Sequence, residues 1–325
     1  MDHPSAQQGV SAPMNQRVVV TTTINKPSPA LEEFAAMPGW DLLVVLDRKS
    51  PPFSLPGAEI LTVGDQEALD RELSDAIGWN CIQRRNMGYF HAYRSGASLI
   101  ATVDDDNIPL PGWGNDVRVG KPTACTMFEA EGSLAQTFDP LAVTSAPHLW
   151  HRGFPLTELR TRSYRQLPDP VVVTPDVEAS LWLGDPDIDA VCRLEHAPYL
   201  KTLEGPTPYS STLLAPFNSQ NTFLARSVLP EYFCFTGVGR FDDIWASYHL
   251  RAKGATVVYS AASVTQERND HDLLVDLERE TYGYVETPRL LRELRGDSDA
   301  IERFLPPQAL AAFKRYRHLM RHVEG

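Results

Sequence analysis

Cysteine is scarce in these 325 residues: four, Cys81, Cys125, Cys192 and Cys234, set far apart. No pair has the short spacing of a metal site, and a disulfide framework is not built this way. A reduced, cytoplasmic protein is the expectation. Long apolar runs are missing too. None approaches the roughly 18 residues needed to span a bilayer. The N-terminus, MDHPSAQQGVSAPMNQ, has neither the basic start nor the apolar centre of a secretory signal. Residues 1–16 are expected to be a disordered lead-in. Positive charge is in deficit: 30 Lys and Arg against 42 Asp and Glu give a net −12. That argues against nucleic acid or an anionic membrane as a partner. Finally, no G-x-G-x-x-G follows the first apolar run, so no flavin is expected.

Short, continuous apolar runs alternate with helical spacing in the first third of the chain. Residues 17–23 (RVVVTTT), 40–47 (WDLLVVLD), 58–63 and 99–103 (LIATV) read as strands. Helices are expected over residues 30–37, 66–77 and 81–95. Strands without polar alternation point to a parallel sheet covered on both faces. Residues 114–209 are proline-rich and read as mixed sheet and loops, with a further buried strand within 213–224. A helix is expected over 242–253, a late strand over 255–259, and helices over 288–295 and 307–322. Leu310, Phe313, Tyr316 and Met320 form an apolar face on the last of these. It covers the chain's own core or meets a second copy, so a homo-oligomer is a candidate assembly.

Three aspartates, Asp104, Asp105 and Asp106, close the strand LIATV, and the rigid turn IPLPGW follows. The carboxyl ends of strands are where open α/β sheets bind ligands. Side-by-side carboxylates repel unless a cation offsets them, and they are hard ligands suited to Mg2+ or Mn2+ bridging to phosphates. Just upstream, RRNMG carries Arg84 and Arg85, whose guanidinium groups suit a diphosphate. Gly88, within the expected helix, suggests close approach of backbone or ligand. GVGRFDDIW joins Arg240, Asp242, Asp243 and Trp245. An acid at a helix start is first a cap or a dipole partner, which leaves the second acid and the arginine unexplained. A sugar site uses such groups: a carboxylate as base, an aromatic beside the ring. In QERNDHD, His271 is either a solvated histidine or a metal ligand alongside Asp106.

The blocks VVVTTTIN, RRNMGY, TVDDDN, HRGFPL, SLWLGDPDID, FNSQNTFLAR and GRFDDIWASY, in that order, resemble the plant reversibly glycosylated polypeptides, which include the UDP-arabinopyranose mutases. They are also similar to STELLO-type glycosyltransferase domains. The resemblance implies an α/β, GT-A-like fold: a Rossmann-type nucleotide-binding sheet (17–113), a mixed-sheet sugar half (114–285) and a helical C-terminal extension (286–325). It implies that the triplet is a DXD motif for Mn2+ or Mg2+. Asp106 would be on the metal, with Asp104 or Asp105 on ribose or metal. Thr21, Thr22, Thr23 and Asp47 would surround base and ribose, with Arg84 and Arg85 at the diphosphate. Asn221, Arg240 and Trp245 would meet the sugar, with Asp242 and Asp243 as the paired acids. In that family an arginine after an RGYPFSL-like segment carries a reversible sugar. Here Arg160 arrives one residue late. The second strand ends LDRK rather than in the family's acidic pattern, so a UDP- or a GDP-linked sugar is expected. The implied activity is a flavin-independent mutase interconverting pyranose and furanose rings. The alternative is a glycosyltransferase with a separate acceptor.

Overall fold

The computed structural model describes residues 16–132, 135–267 and 272–323. In chain order the first half carries β1 (Arg17–Thr23), α1 (Pro29–Ala35), β2 (Asp41–Leu46), β3 (Ala58–Leu61), α2 (Val63–Leu69), α3 (Arg71–Ile77), α4 (Arg85–Arg94), β4 (Leu99–Val103), β5 (Asn107–Pro109) and β6 (Thr123–Ala130). The second carries β7 (Tyr164–Gln166), β8 (Val171–Val173), β9 (Val177–Gly184), α5 (Ala190–His196), β10 (Tyr209–Ser211), β11 (Asn221–Ala225), α6 (Asp242–Ala252), β12 (Val257–Gln266), α7 (Leu273–Leu294) and α8 (Pro307–Arg321).

β1 is apolar over Val18 to Val20, where neighbouring strands and both sheet faces cover it. It pairs in parallel with β2 and β4, and β3 joins β2 in parallel. Its alternate residues feed two cores. Val18 and Val20 pack with Leu43, Leu73 and Met87 on one face, and Val19 with Leu42, Leu31 and Phe34 on the other. Beyond β4 the direction reverses: β11 lies antiparallel between β4 and β9, and β12 runs parallel to β9. The full sheet has twelve strands in the order β3-β2-β1-β4-β11-β9-β12-β10-β6-β7, with β5 on β12 and β8 on β6. This mixed α/β sheet with a helical C-terminus is the GT-A-like architecture anticipated above. Among the described residues no helix is long and apolar enough to cross a membrane.

Three elements differ from expectation for local reasons. The helix expected over 66–77 is two. Asp70 adopts an extended conformation (φ −164°) that ends α2, and its carboxylate accepts the Leu73 amide at 2.7 Å to start α3. β12 continues to Gln266 because a register shift between Ser260 and Val264 lets the strand go on pairing, with β9 and with β5. α7 begins at Leu273, capped by Asp272, and runs through both Pro288 and the boundary drawn at 285. The apolar face of α8 is covered by its own chain: Phe313 and Tyr316 lie 5.7 and 5.0 Å from Phe233, ring to ring.

Gly88 lets α4 lie directly on the sheet. A Cβ there would sit 2.6 Å from Val20 Cγ1 and 2.7 Å from Val45 Cγ2. The close approach is therefore to the protein's own strands. Gly88→Ala gains about 1 kcal/mol of helix propensity but overpacks a core, which costs about 1–3 kcal/mol. A net loss of about 1 kcal/mol is expected from urea unfolding, and Gly88→Val should lose more.

Candidate active site

A cleft of about 290 Å3 opens at the carboxyl ends of β1 and β4, with the start of α6 opposite. Each member of the acid triplet is held differently. Asp104 pairs with Arg85 (Nη2 to Oδ1, 2.7 Å). Asp105 accepts the Thr23 hydroxyl at 2.5 Å, and burial pushes its carboxyl above the usual range against that hydrogen bond. Asp106 accepts the Gln266 side-chain amide at 3.3 Å. Arg85 is buried at the start of α4. Burial opposes its charge, but Asp104, with smaller contributions from Tyr89 and Cys234, offsets this and holds the guanidinium well above its ordinary pKa. Its Nη1 also donates to Ser219 Oγ (2.6 Å) and to the Ser219 carbonyl (3.0 Å).

Ser219 joins this arginine to the acid pair. Its amide and hydroxyl donate to Asp243 Oδ2 at 2.8 and 3.0 Å. Arg152 grips Asp243 with both terminal nitrogens, each at 3.0 Å. The Nε of Arg152 donates to Asp187 at 3.0 and 3.1 Å, and the Asn218 amide donates to the same aspartate at 2.9 Å. A continuous array results, buried from Asp187 through Arg152, Asp243 and Ser219 to Arg85 and half-buried at its end, Asp104. Neither acid of the pair serves as a side-chain cap; α6 starts without one. The two carboxyls are driven apart. Burial alone would raise Asp243, yet Arg152 holds it below the usual carboxylate value. Asp242 accepts the Gln83 side-chain amide (2.8 Å), and burial, then the neighbouring Asp243, push it up to about 7. Two adjacent carboxyls with divergent protonation are a signature of divided acid–base roles. Arg240 reaches the same cleft from the turn Gly239–Phe241 and is steered by α7, pairing with Glu280 at 2.9 Å and Asp276 at 3.2 Å.

Thr22, Arg85, Asp104, Asp105, Asp106, Arg240, Asp242 and Asp243 thus meet in one cleft. Other residues expected there do not line it. Arg84 points the opposite way from its neighbour: it donates to Gln66 Oε1, Ser74 and Gly78 and lies 3.8 Å over the Trp79 ring, so it braces α2 and α3. Trp245 is buried against α7, its indole donating to Thr287 at 2.9 Å. Asn221 is engaged inside the sheet by Leu181, Ser263 and Trp113. Arg160 is exposed on the 3-10 segment Leu156–Thr161, away from the cleft lining. Thr21 is buried in β1. Asp47 spends its carboxylate on the amides of Arg48, Asn80 and Cys81, shaping the turn before α4. Thr23 acts through Asp105. His271 lies outside the described residues.

Sequence reasoning did not assign Arg152, Asp187, Ser219, Gln83 or Gln266. The signal for Arg152 was a guanidinium inside HRGFPL; in LGDPDID three aspartates alternate, and nothing in the sequence marks Asp187 among them. Among the described residues, no three His, Cys, Asp or Glu side chains converge as a closed metal cage. Mg2+ and Mn2+ use one or two carboxylates plus substrate phosphates and water instead. The hard oxygens of Asp104 and Asp106 at the cleft fit that donor chemistry.

No protein-family model matches the chain. It is 21% identical over 238 residues to the probable glycosyltransferase STELLO2 of Arabidopsis thaliana, and 22% identical over 235 residues to the probable glycosyltransferase STELLO1 of the same plant. Each match covers 65% of this chain and 30% of the relative, so the chain spans under a third of the proteins it matches. This distant similarity agrees with the GT-A-like sheet and supports a glycosyltransferase-type family.

Proposed function

We propose that this protein binds a UDP- or GDP-linked sugar and breaks the bond between the sugar's C1 and the diphosphate. The observation that carries the reading is the continuous array from Asp104 and Arg85, through Ser219, to Asp243 beside Asp242. One end suits a diphosphate and the other suits a hydroxyl that must lose a proton. Arg85, fixed and desolvated, stabilises negative charge as the diphosphate leaves. Asp243 is occupied by Arg152 and Ser219, so it orients; Asp242 is the acid–base group. A divalent cation, Mn2+ or Mg2+, would be held by Asp104 and Asp106 and would supply further charge neutralisation at the phosphates.

In the first reading the enzyme is a mutase. The sugar's own ring-forming hydroxyl attacks C1 and its proton passes to Asp242, while the C1–diphosphate bond breaks. The diphosphate then returns to C1, the old C1–ring-oxygen bond breaks, and that oxygen takes the proton back. A carboxyl titrating at about 7 exchanges protons in both directions near neutrality, which a reversible isomerisation requires. In the second reading an external hydroxyl attacks and gives its proton to the same carboxyl. The observation favouring it is the distant similarity to probable glycosyltransferases.

The test is calorimetric titration with UDP and GDP, with and without Mn2+, followed by incubation of the matching sugar nucleotides without acceptor. Ring isomers support the mutase; turnover that begins only when an acceptor is added supports the transferase. Failure to bind either diphosphate overturns the proposal. Asp106→Asn should keep the fold and the metal-free affinity but remove the Mn2+-dependent gain in diphosphate binding. An undiminished gain would take Asp106 out of the metal site.

A further inference from the structure

Glu280 lies on α7, outside the cleft, yet it is almost wholly buried and fully used. Its Oε1 accepts Arg240 Nε at 2.9 Å. Its Oε2 accepts the Ala190 backbone amide at 2.7 Å and the Tyr284 hydroxyl at 2.5 Å. Arg240 and Ala190 belong to two segments far apart in sequence, and both segments carry the site; Tyr284 is on α7 itself. Residues 187–190 bring Asp187, which grips Arg152. The turn Gly239–Phe241 brings Arg240 and leads directly into Asp242 and Asp243. The two segments also touch through Arg152, whose guanidinium donates to the Arg240 carbonyl as well as to Asp187 and Asp243.

α7 is shaped for this contact. Gly239 has φ +66°, and a Cβ there would lie 2.0 Å from the Arg279 carbonyl oxygen, so the turn sits on the α7 backbone with no room for a side chain. Phe241 meets Tyr284 edge-on at 5.6 Å. A carboxylate is costly to bury unless every lone pair is used. Here Tyr284 of α7 itself supplies one donor, and Arg240 and Ala190 supply the others from two further segments, so Glu280 is fully satisfied when both segments are in register with α7.

We propose that Glu280 is a positioning residue. It locks the segment bearing Asp187 and the turn bearing Arg240 and Asp242 into one arrangement, and so sets the Arg152–Asp243 grip and the aim of Asp242. Its effect on turnover rests on the nucleotide-sugar reading above; the tie between the two segments rests on geometry alone.

The experiment uses the full chain with Glu280→Gln, Glu280→Ala and the control Glu286→Gln, which alters an exposed pair with Arg289 further along α7. Hydrogen exchange is read on peptides covering residues 187–193 and 237–242. In Glu280→Ala both should exchange about tenfold faster while β1 to β4 are unchanged. Glu280→Gln keeps the Ala190 acceptor but loses one of the two α7 charges that face Arg240, Asp276 being the other. Turnover of the sugar nucleotide should fall about tenfold or more with KM within about threefold. Glu286→Gln should match wild type in both assays. Unchanged exchange in the two segments, or exchange that rises equally throughout the chain, overturns the proposal. If wild-type protein binds neither UDP nor GDP, the functional reading falls, and the exchange result still decides whether Glu280 ties the segments.

Discussion

Arg152→Met should lower the stability of the fold by about 3–5 kcal/mol, the cost of leaving a buried charge without its partner. Arg152 stands between Asp187 and Asp243, all three buried, and its removal takes the paired guanidinium from both carboxylates. Asn218, which also donates to Asp187, and Ser219, which also donates to Asp243, carry no positive charge. The sign of the pH response follows. Burial pushes the Asp243 carboxyl up and Arg152 holds it down, so without Arg152 its folded-state value rises above the unfolded one. The folded variant then takes up a proton that the unfolded chain has released. Its deficit should be smallest at acid pH and grow as pH rises through that raised value. Adding Asp187→Asn and Asp243→Asn to Arg152→Met removes the charges together and should recover most of the stability without restoring turnover. Urea unfolding at two pH values checks this. A loss of under about 1 kcal/mol for Arg152→Met, typical of solvated pairs, would show that the array is not desolvated in solution.

The parts of this site that were legible in the sequence are those that local patterning exposes. LIATV could be read as a buried strand because both its neighbours and both sheet faces cover it, so Asp104 to Asp106 fell at a strand end. The start of α6 was marked by the glycines before Asp242. Arg84 and Arg85 were indistinguishable as adjacent residues. Which one faces the cleft is decided where the 3-10 turn Ile82–Arg84 passes into α4, and that phase has no sequence signature. Arg152 and Asp187 lie in irregular segments, and their contacts with each other and with Asp243 span 35 and 91 residues. No period of 2 or 3.6 links such positions. Gln266 was hidden by the register shift in β12, which breaks the alternation that would have extended the strand to it.

Asp242→Asn should cut turnover by about 10²–10⁴, the usual worth of a positioned acid–base group, while diphosphate affinity is largely kept. The carboxyl sits at about 7 because it is buried and because Asp243, held ionised by Arg152, lies beside it. As the base it acts when ionised, so wild-type turnover should rise with pH through a midpoint near 7. The variant should lose that limb. Stability moves in the opposite direction. The folded-state value lies above the ordinary 3.8 of an unfolded aspartate, so the folded chain retains a proton that the unfolded chain releases across that interval. The stability Asp242 contributes is fully present below the unfolded value and is lost as pH rises through about 7. Asparagine does not titrate, so the variant should gain on wild type as pH rises and be the more stable protein above neutrality. The two responses share one cause, a carboxyl kept protonated by its surroundings, so the stability loss should level off in the pH range where the turnover limb has its midpoint. A turnover limb that survives in Asp242→Asn, or a stability difference that does not change between acid and alkaline pH, would mean that another group carries the proton.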